Sequence, residues 1–462
     1  MHSARQDSPD QPVFGIVVMG GPMTGAMLRD VRLANELIQR GYEVHLWWAM
    51  DLCKTAGLDD RVKQHWLFHG SRLMGWPRGV WELAGKVGTR ISYDHRRADF
   101  MQERQGAYER MIFTLINLLC DGVDRDGRVI QRFADSLEQA GVTHVLSSLG
   151  MLGQWTLAAR PLMKNPPRHL VTFQGHELYL NHARRISREA DMARRLAEVV
   201  KDADYPAIAV SEPYRQLVID DLSLSDGDVV AVPPGVPMPQ VPDRDAAMTA
   251  LCEEFPDVDP DKPLITFLGR QDTEKGIDLL HYAAKILLED GQTFGLAICG
   301  SSLFGKHYRY ACEEIAVQLD LPYMRTKQVL GQTWSNLLAA SHCVVYPSII
   351  RETFGLVPVE AMAHGTPAVV PDYGGTKVAI AAEGKTGGLR FAPWDSGDLA
   401  RQLRRLLTEP DTYNELATNA RGVAEYYSVA NMTTRILNHM GFSNSNQKDL
   451  SNEQGQAHPS QA

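Results

Sequence analysis

Residues 342–371 read His342-Cys343-Val344-Val345-Tyr346-Pro347-Ser348-Ile349-Ile350-Arg351-Glu352-Thr353-Phe354-Gly355-Leu356-Val357-Pro358-Val359-Glu360-Ala361-Met362-Ala363-His364-Gly365-Thr366-Pro367-Ala368-Val369-Val370-Pro371. Two short apolar runs, His342–Tyr346 and Ala368–Pro371, flank a loop and a helix that holds Glu360. Runs this short and this uniformly apolar are strands covered on both faces, and a helix between them makes a β–α–β unit. Two carboxylates eight positions apart, Glu352 and Glu360, are thereby placed at the loop and about one turn into the helix.

Outward from this unit the alternation continues. Upstream come strand Leu264–Leu268, helix Ile277–Glu289, strand Phe294–Cys299 and helices Tyr308–Leu319 and Thr333–Ala340. Downstream lie helices around Asp398–Leu407, Asp411–Tyr426 and Ala430–His439. A separate series opens the chain with strand Phe14–Met19, amphipathic helix Ala26–Arg40 and strand Glu43–Trp48. Thr143–Ser147, Leu170–Thr172 and Ala207–Val210 follow as strands. Proline and glycine cluster between the two series at Val232–Pro239, which reads as a hinge. The expected fold class is therefore α/β, with two Rossmann-like doubly wound parallel-sheet domains facing a cleft. Residues 13–235 form the first domain and 236–428 the second, with a final helix at 429–442. Residues 1–12 read as a flexible end and the polar stretch 443–462 as a disordered tail.

A length of 462 residues suits two domains, and 44% hydrophobic with 22% charged residues describes an ordinary globular chain. The net charge of −9 gives no general reason to expect a nucleic-acid partner. Six scattered cysteines without a C-x-x-C pair fit a reducing compartment. With no leader pattern and no long apolar run, the expected location is the cytoplasm, with peripheral contact at the inner membrane face left open.

Gly269-Arg270-Gln271-Asp272-Thr273-Glu274-Lys275-Gly276 joins a strand to a helix. Arg270 and Lys275 offer cations, and the turn offers backbone N–H groups, the combination that a diphosphate needs. The plainer reading is a surface loop in which Asp272 and Glu274 pair with their neighbours. Paired carboxylates such as Glu352 and Glu360 also occur in glycosidases, but a hydrolase has no need of the upstream cations. Gly20-Gly21 and Gly25 form a looser glycine loop between strand and helix; it lacks the G-x-G-x-x-G spacing and a ribose-binding acid after strand two. His176 lies just past a strand, on the cleft edge. Asp124-Arg125-Asp126 and Asp257-Val258-Asp259 read as solvated turns, so no metal site is expected. Two basic stretches, Ser71–Arg97 and Arg184–Arg195, suit either anionic lipid or a phosphorylated acceptor, or are solvated helices with local ion pairs.

The chain resembles the retaining GT-B glycosyltransferases of family 4, the glycogen-synthase-like and sucrose-synthase-like group. The carriers are Gly269-Arg270 with Glu274-Lys275-Gly276, the Glu352…Glu360 pair, the run Glu360–Pro367, and Gly374-Gly375. The resemblance implies a nucleoside-diphosphate sugar (UDP-, GDP- or ADP-linked) held by the second domain, and transfer of its hexose to an acceptor hydroxyl. Arg270 and Lys275 would bind the diphosphate and Glu360 the ribose. Glu352 and the backbone of Phe354, Gly355 and Leu356 would hold the sugar. The base would lie along Met324–Leu330, near Val329. Gly20 and Gly21 would meet the diphosphate from the first domain, which holds a sugar, a phosphorylated small molecule or a lipid-linked acceptor. Relatives carry a histidine where Gln174 or His176 stands. No cofactor or metal is implied. A sugar-nucleotide epimerase or hydrolase on this fold, and a non-catalytic nucleotide-sugar-binding protein, are the competing readings.

Overall fold

The computed structural model describes residues 11–19, 25–49, 57–67, 113–125, 127–301, 307–325 and 329–442. The Gly20-Gly21 loop, the basic stretch 71–97 and the tail 443–462 lie outside the described residues.

The first sheet contains β1 (Val13–Val18), β2 (Glu43–Trp48), β3 (Lys63–Trp66), β4 (His144–Ser147), β5 (Arg168–Phe173), β6 (Ala207–Ala209) and β7 (Val229–Ala231). Its order is β3-β2-β1-β4-β5-β6-β7, with every pairing parallel. The order reverses direction between β1 and β4, where Phe14 stands opposite His144. That reversal opens a crevice at the carboxyl ends of the strands.

The second sheet contains β8 (Leu264–Leu268), β9 (Gly295–Cys299), β10 (Tyr323–Arg325), β11 (Cys343–Val345) and β12 (Ala368–Pro371). A two-residue hairpin, β13 (Ala381–Ala382) and β14 (Lys385–Thr386), leads into its last strand, β15 (Gly388–Phe391). The order is β10-β9-β8-β11-β12-β15, again all parallel, with its reversal between β8 and β11. This is the expected pair of doubly wound α/β units.

Burial on both faces explains the unbroken apolar runs. In β1, Phe14, Ile16 and Val18 pack beneath helices Gly25–Gln39 and Val429–His439, while Val17 turns to the opposite core with Trp47 and Phe133. In β8, Ile265 and Phe267 serve one core and Leu264 and Leu268 the other. Side chains alternate along a strand, so an interior strand needs apolar residues on both faces, each contributing about 1.5–3 kcal/mol when fully buried.

Two chain segments run side by side at the hinge. The Val236 N–H donates to Tyr427 O (2.9 Å) and the Val429 N–H donates to Val236 O (3.0 Å). A Cβ on Gly235 would stand 2.5 Å from Val429 Cα, so only glycine admits this approach. Helix Val429–His439 then packs Met432, Ile436 and Leu437 into the first domain's core.

Candidate active site

The loops after β8 and β11 converge because neighbouring parallel strands end side by side. Lys275 closes a short turn, Thr273–Lys275, ended by Gly276 at φ 62°. A Cβ on Gly276 would lie 2.2 Å from Pro347 O, which locks this turn against the loop after β11. Ile349 N–H donates to Glu274 O at 3.0 Å, and Ser348 Oγ donates to the same oxygen at 3.0 Å.

Lys275 is brought onto Glu352 by this locking. Its Nζ forms an ion pair with Glu352 Oε1 and donates to Tyr346 Oη at 3.0 Å, while Ser348 Oγ lies 2.8 Å from the same Glu352 oxygen, so that its one hydroxyl proton is shared between Glu352 and Glu274 O. Burial works to lower the Lys275 pKa, but Tyr346 and Glu352 outweigh it and hold it raised, so the ammonium stays charged. Burial pushes the Tyr346 phenol up to about 12, keeping it neutral.

Arg270 pairs with both Asp272 and Glu274, as the plainer reading of this loop held. Desolvation opposes the charge on Arg270 and Glu274 and Asp272 restore it, leaving its pKa raised. Two cations and their counter-acids thus line the end of β8, about one-third exposed at Arg270 and nearly buried at Lys275.

Glu360 lies in helix Leu356–Ala363, entered through Gly355 at φ 94°. Its Oε1 accepts from Arg32 Nη2 of the first domain at 2.6 Å, and Arg32 Nη1 donates to Gly235 O at the hinge (3.0 Å). Thr353 O, beside Glu352, accepts from Ser211 Oγ of the first domain at 2.6 Å. Thr353 Oγ1 also donates to Gln174 O of the first domain at 3.5 Å, so the carboxylate loop and its helix meet the other domain at several points.

The remaining residues singled out from sequence behave differently. The Phe354 side chain is buried against Tyr427 in the core, leaving its backbone to the cleft loop, and Leu356 is half-buried at the head of its helix. The Val329 side chain is likewise core, packed with Met324 and Leu337. His176 is buried, with Nδ1 bonded to Tyr214 Oη (2.8 Å) and Nε2 to Asp221 (2.9 Å). Both ring nitrogens are engaged, so the ring as placed here pins helix His176–Arg185 to helix Glu212–Leu222 and has no atom left for a substrate. Gln174 stands half-buried at the end of β5 and donates to Ser148 Oγ at 2.9 Å; Ser148 in turn bonds the buried Asp30. Burial raises the Asp30 pKa, against the pull of Arg29 at 2.9 Å.

Arg184, Arg188, Arg194 and Arg195 are paired with Glu189, Asp121 and Asp191, and Glu198, so the second basic stretch is largely neutralised in place. Asp124 lies in a short turn, and among the described residues no group of three acidic, histidine or cysteine side chains is gathered for a metal. No helix among the described residues is long and apolar enough to cross a membrane. Tyr346, Ser348 and Arg32 join the site without having been singled out in the sequence. Their signal was position: Tyr346 and Ser348 follow β11 at its carboxyl end, and Arg32 faces the hinge from the first helix.

Residues 253–423 match the family of glycosyl transferases group 1. The chain is 33% identical over 192 residues to the D-inositol 3-phosphate glycosyltransferase of Gordonia bronchialis, covering 40% of each chain. It is 33% identical over 182 residues to the sulfoquinovosyl transferase of Arabidopsis thaliana, covering 39% of this chain and 33% of that one. The chain spans roughly a third to three-fifths of the length of the curated relatives it matches. Among solved structures, sucrose-phosphate synthase from Thermosynechococcus elongatus superposes with a TM-score of 0.67 at 17% identity, over 96% of this chain and all of that one. Anabaena HepE in complex with UDP and glucose superposes at 0.66 with 14% identity, over 93% of this chain and 100% of that one. The fold is that of the GT-B glycosyltransferases, and the group 1 match lies within the second domain.

Proposed function

We propose that this chain transfers a hexosyl group from a nucleoside-diphosphate sugar to an acceptor hydroxyl, with retention at the anomeric carbon. One observation carries the reading: Lys275 pairs with Glu352 at the carboxyl edge of the second sheet, Arg270 stands on the same turn as Lys275, and Glu360, in the helix that follows Glu352, pairs with Arg32 of the first domain. The family match at 253–423 contains all four residues of the second domain.

In this scheme Arg270 and Lys275 neutralise the departing diphosphate. Fixed cations stabilise charge that develops only in the transition state, and removing one such donor typically costs about a hundred- to thousandfold in rate. Glu360 accepts from the ribose hydroxyls and Glu352 from the hydroxyls of the transferred sugar. A departing phosphate oxygen takes the acceptor's proton on the face it leaves, so no protein nucleophile is needed. No metal is needed either, and activity should survive EDTA. The acceptor, whether a sugar, a phosphorylated small molecule or a lipid-linked saccharide, occupies the first domain's edge, where Gln174 offers an amide. The adjoining relative named for D-inositol 3-phosphate favours a phosphorylated acceptor. The test is thermal-shift screening against UDP-, GDP- and ADP-sugars, then acceptor arrays with the best donor. Stabilisation by one donor class and acceptor-dependent turnover are the expected results; donor turnover of equal rate without any acceptor would overturn transfer.

A further inference from the structure

The carboxyl edge of the second sheet continues past Glu352 into a feature that the donor scheme does not use. The loops after β11, β12 and β15 stand side by side and carry Ile350 and Arg351, Asp372 and Tyr373, and Trp394. Trp394 is 59% exposed, yet its indole N–H is fixed by a 2.8 Å bond to Ile349 O. Tyr373 meets it edge-on with centroids 5.4 Å apart, and the Arg351 guanidinium lies 5.1 Å over the Tyr373 ring.

The backbone of Trp394 sits at φ 63°, in the left-handed region. Glycine or asparagine occupies such a position without strain, and a bulky aromatic there is an outlier that marks a use for the ring. Two further polar groups lie on the same strand ends: Asp372 precedes Tyr373, Arg390 lies in β15, and the two are about half exposed and 3.9 Å apart. The ledge is also tied to the carboxylate loop, because Gly375 N–H, two residues after Tyr373, donates to Glu352 O at 2.7 Å.

We infer that Trp394, Tyr373 and Arg351 form a saccharide subsite on which a sugar ring of the acceptor lies beyond the transferred hexose. A pyranose presents an apolar C–H face and a rim of hydroxyls. The exposed indole matches the face, and Arg351, Asp372 and Arg390 match the rim. The subsite's assignment to the acceptor rests on the transfer reading; the binding of a saccharide there does not.

The experiment uses the full chain labelled with 5-fluorotryptophan, with the Trp394 ¹⁹F line identified by its loss in Trp394→Phe. Maltotriose, cellotriose and mannotriose are added separately at about 20 mM, enough to populate a millimolar site, with and without UDP. The expected result is a selective shift of the Trp394 line by at least one trisaccharide. Trp394→Gly should abolish that saccharide's saturation-transfer signal and melt at the wild-type temperature or above, since glycine suits the left-handed backbone. No shift with any of the three overturns the subsite. So does a Trp394→Gly variant that melts lower and still binds the saccharide. UDP affinity, measured on the same samples, separates the two proposals: a saccharide shift without any nucleotide binding supports the ledge and sinks the transfer scheme.

Discussion

Lys275 and Glu352 are partners before any substrate arrives, and this sets what each substitution should show. Glu360→Ala should weaken nucleoside-diphosphate binding by about 1.5–3 kcal/mol, the worth of hydrogen bonds to a charged group, as read by titration calorimetry. Arg270→Ala should lower kcat by about a hundred- to thousandfold and change the donor KM little, because its charge acts on the leaving group; steady-state kinetics at saturating acceptor would show it. Arg270, Lys275, Glu352 and Glu360 were legible in the sequence as cations and carboxylates at strand-to-helix turns. Tyr346, Ser348 and Arg32 were not. A tyrosine ending an apolar strand looks like core, and an arginine on a helix looks like surface, until topology puts them beside an acid. His176 misled for the opposite reason: its place after β5 is at the cleft edge, but helix Glu212–Leu222 supplies Tyr214 and Asp221 to occupy its ring.

At the scale of elements, helix Ile277–Glu289 carries a liability that a pH scan would reveal. His281 is fully buried, neither ring nitrogen has a partner, and burial lowers its pKa to about 4. The folded state holds the ring neutral, whereas the unfolded chain takes up a proton near the ordinary value of about 6.5. Its contribution is therefore complete above about 6.5 and is lost as pH falls toward 4. His169, at about 3, and His144, at about 4, act in the same direction. Thermal melts should show Tm falling over that window, and His281→Leu should flatten the fall. The strands themselves divide by position. The interior strands β1, β2, β4, β5 and β6, and β8, β9, β11 and β12, were readable as apolar runs. The edges were not: β3, β7 and β15 went unread, and β10 was reached only through the family resemblance. An edge strand has one neighbour and partial cover, so Lys63-Gln64-His65-Trp66 satisfies β3 without any apolar pattern.

For the whole molecule, the contact of Arg32 with Glu360 and Gly235 joins three parts: the first helix, the Glu360 carboxylate and the hinge. In the proposed scheme a nucleotide ribose at Glu360 displaces this arginine, so Arg32→Ala should tighten nucleotide binding. A part-buried pair of about 1 kcal/mol corresponds to about fivefold, and calorimetry at low and high salt should show the gain shrinking as salt screens the wild-type pair. Weaker binding would mean that Arg32 assists the donor, and unchanged binding that it does not compete with it.

The paired crossings at Val236 and Ser428 carry a mechanical implication. A single linker lets one lobe swivel freely about the other. Two adjacent strands, laced by hydrogen bonds and anchored through Met432 and Ile436, act as a piano hinge that bends about one axis and resists torsion. Cutting either strand alone would leave the lobes attached but would free that twist, so a proteolytic nick near residue 235 should preserve the molecule's mass on a sizing column and spoil the alignment of its two halves.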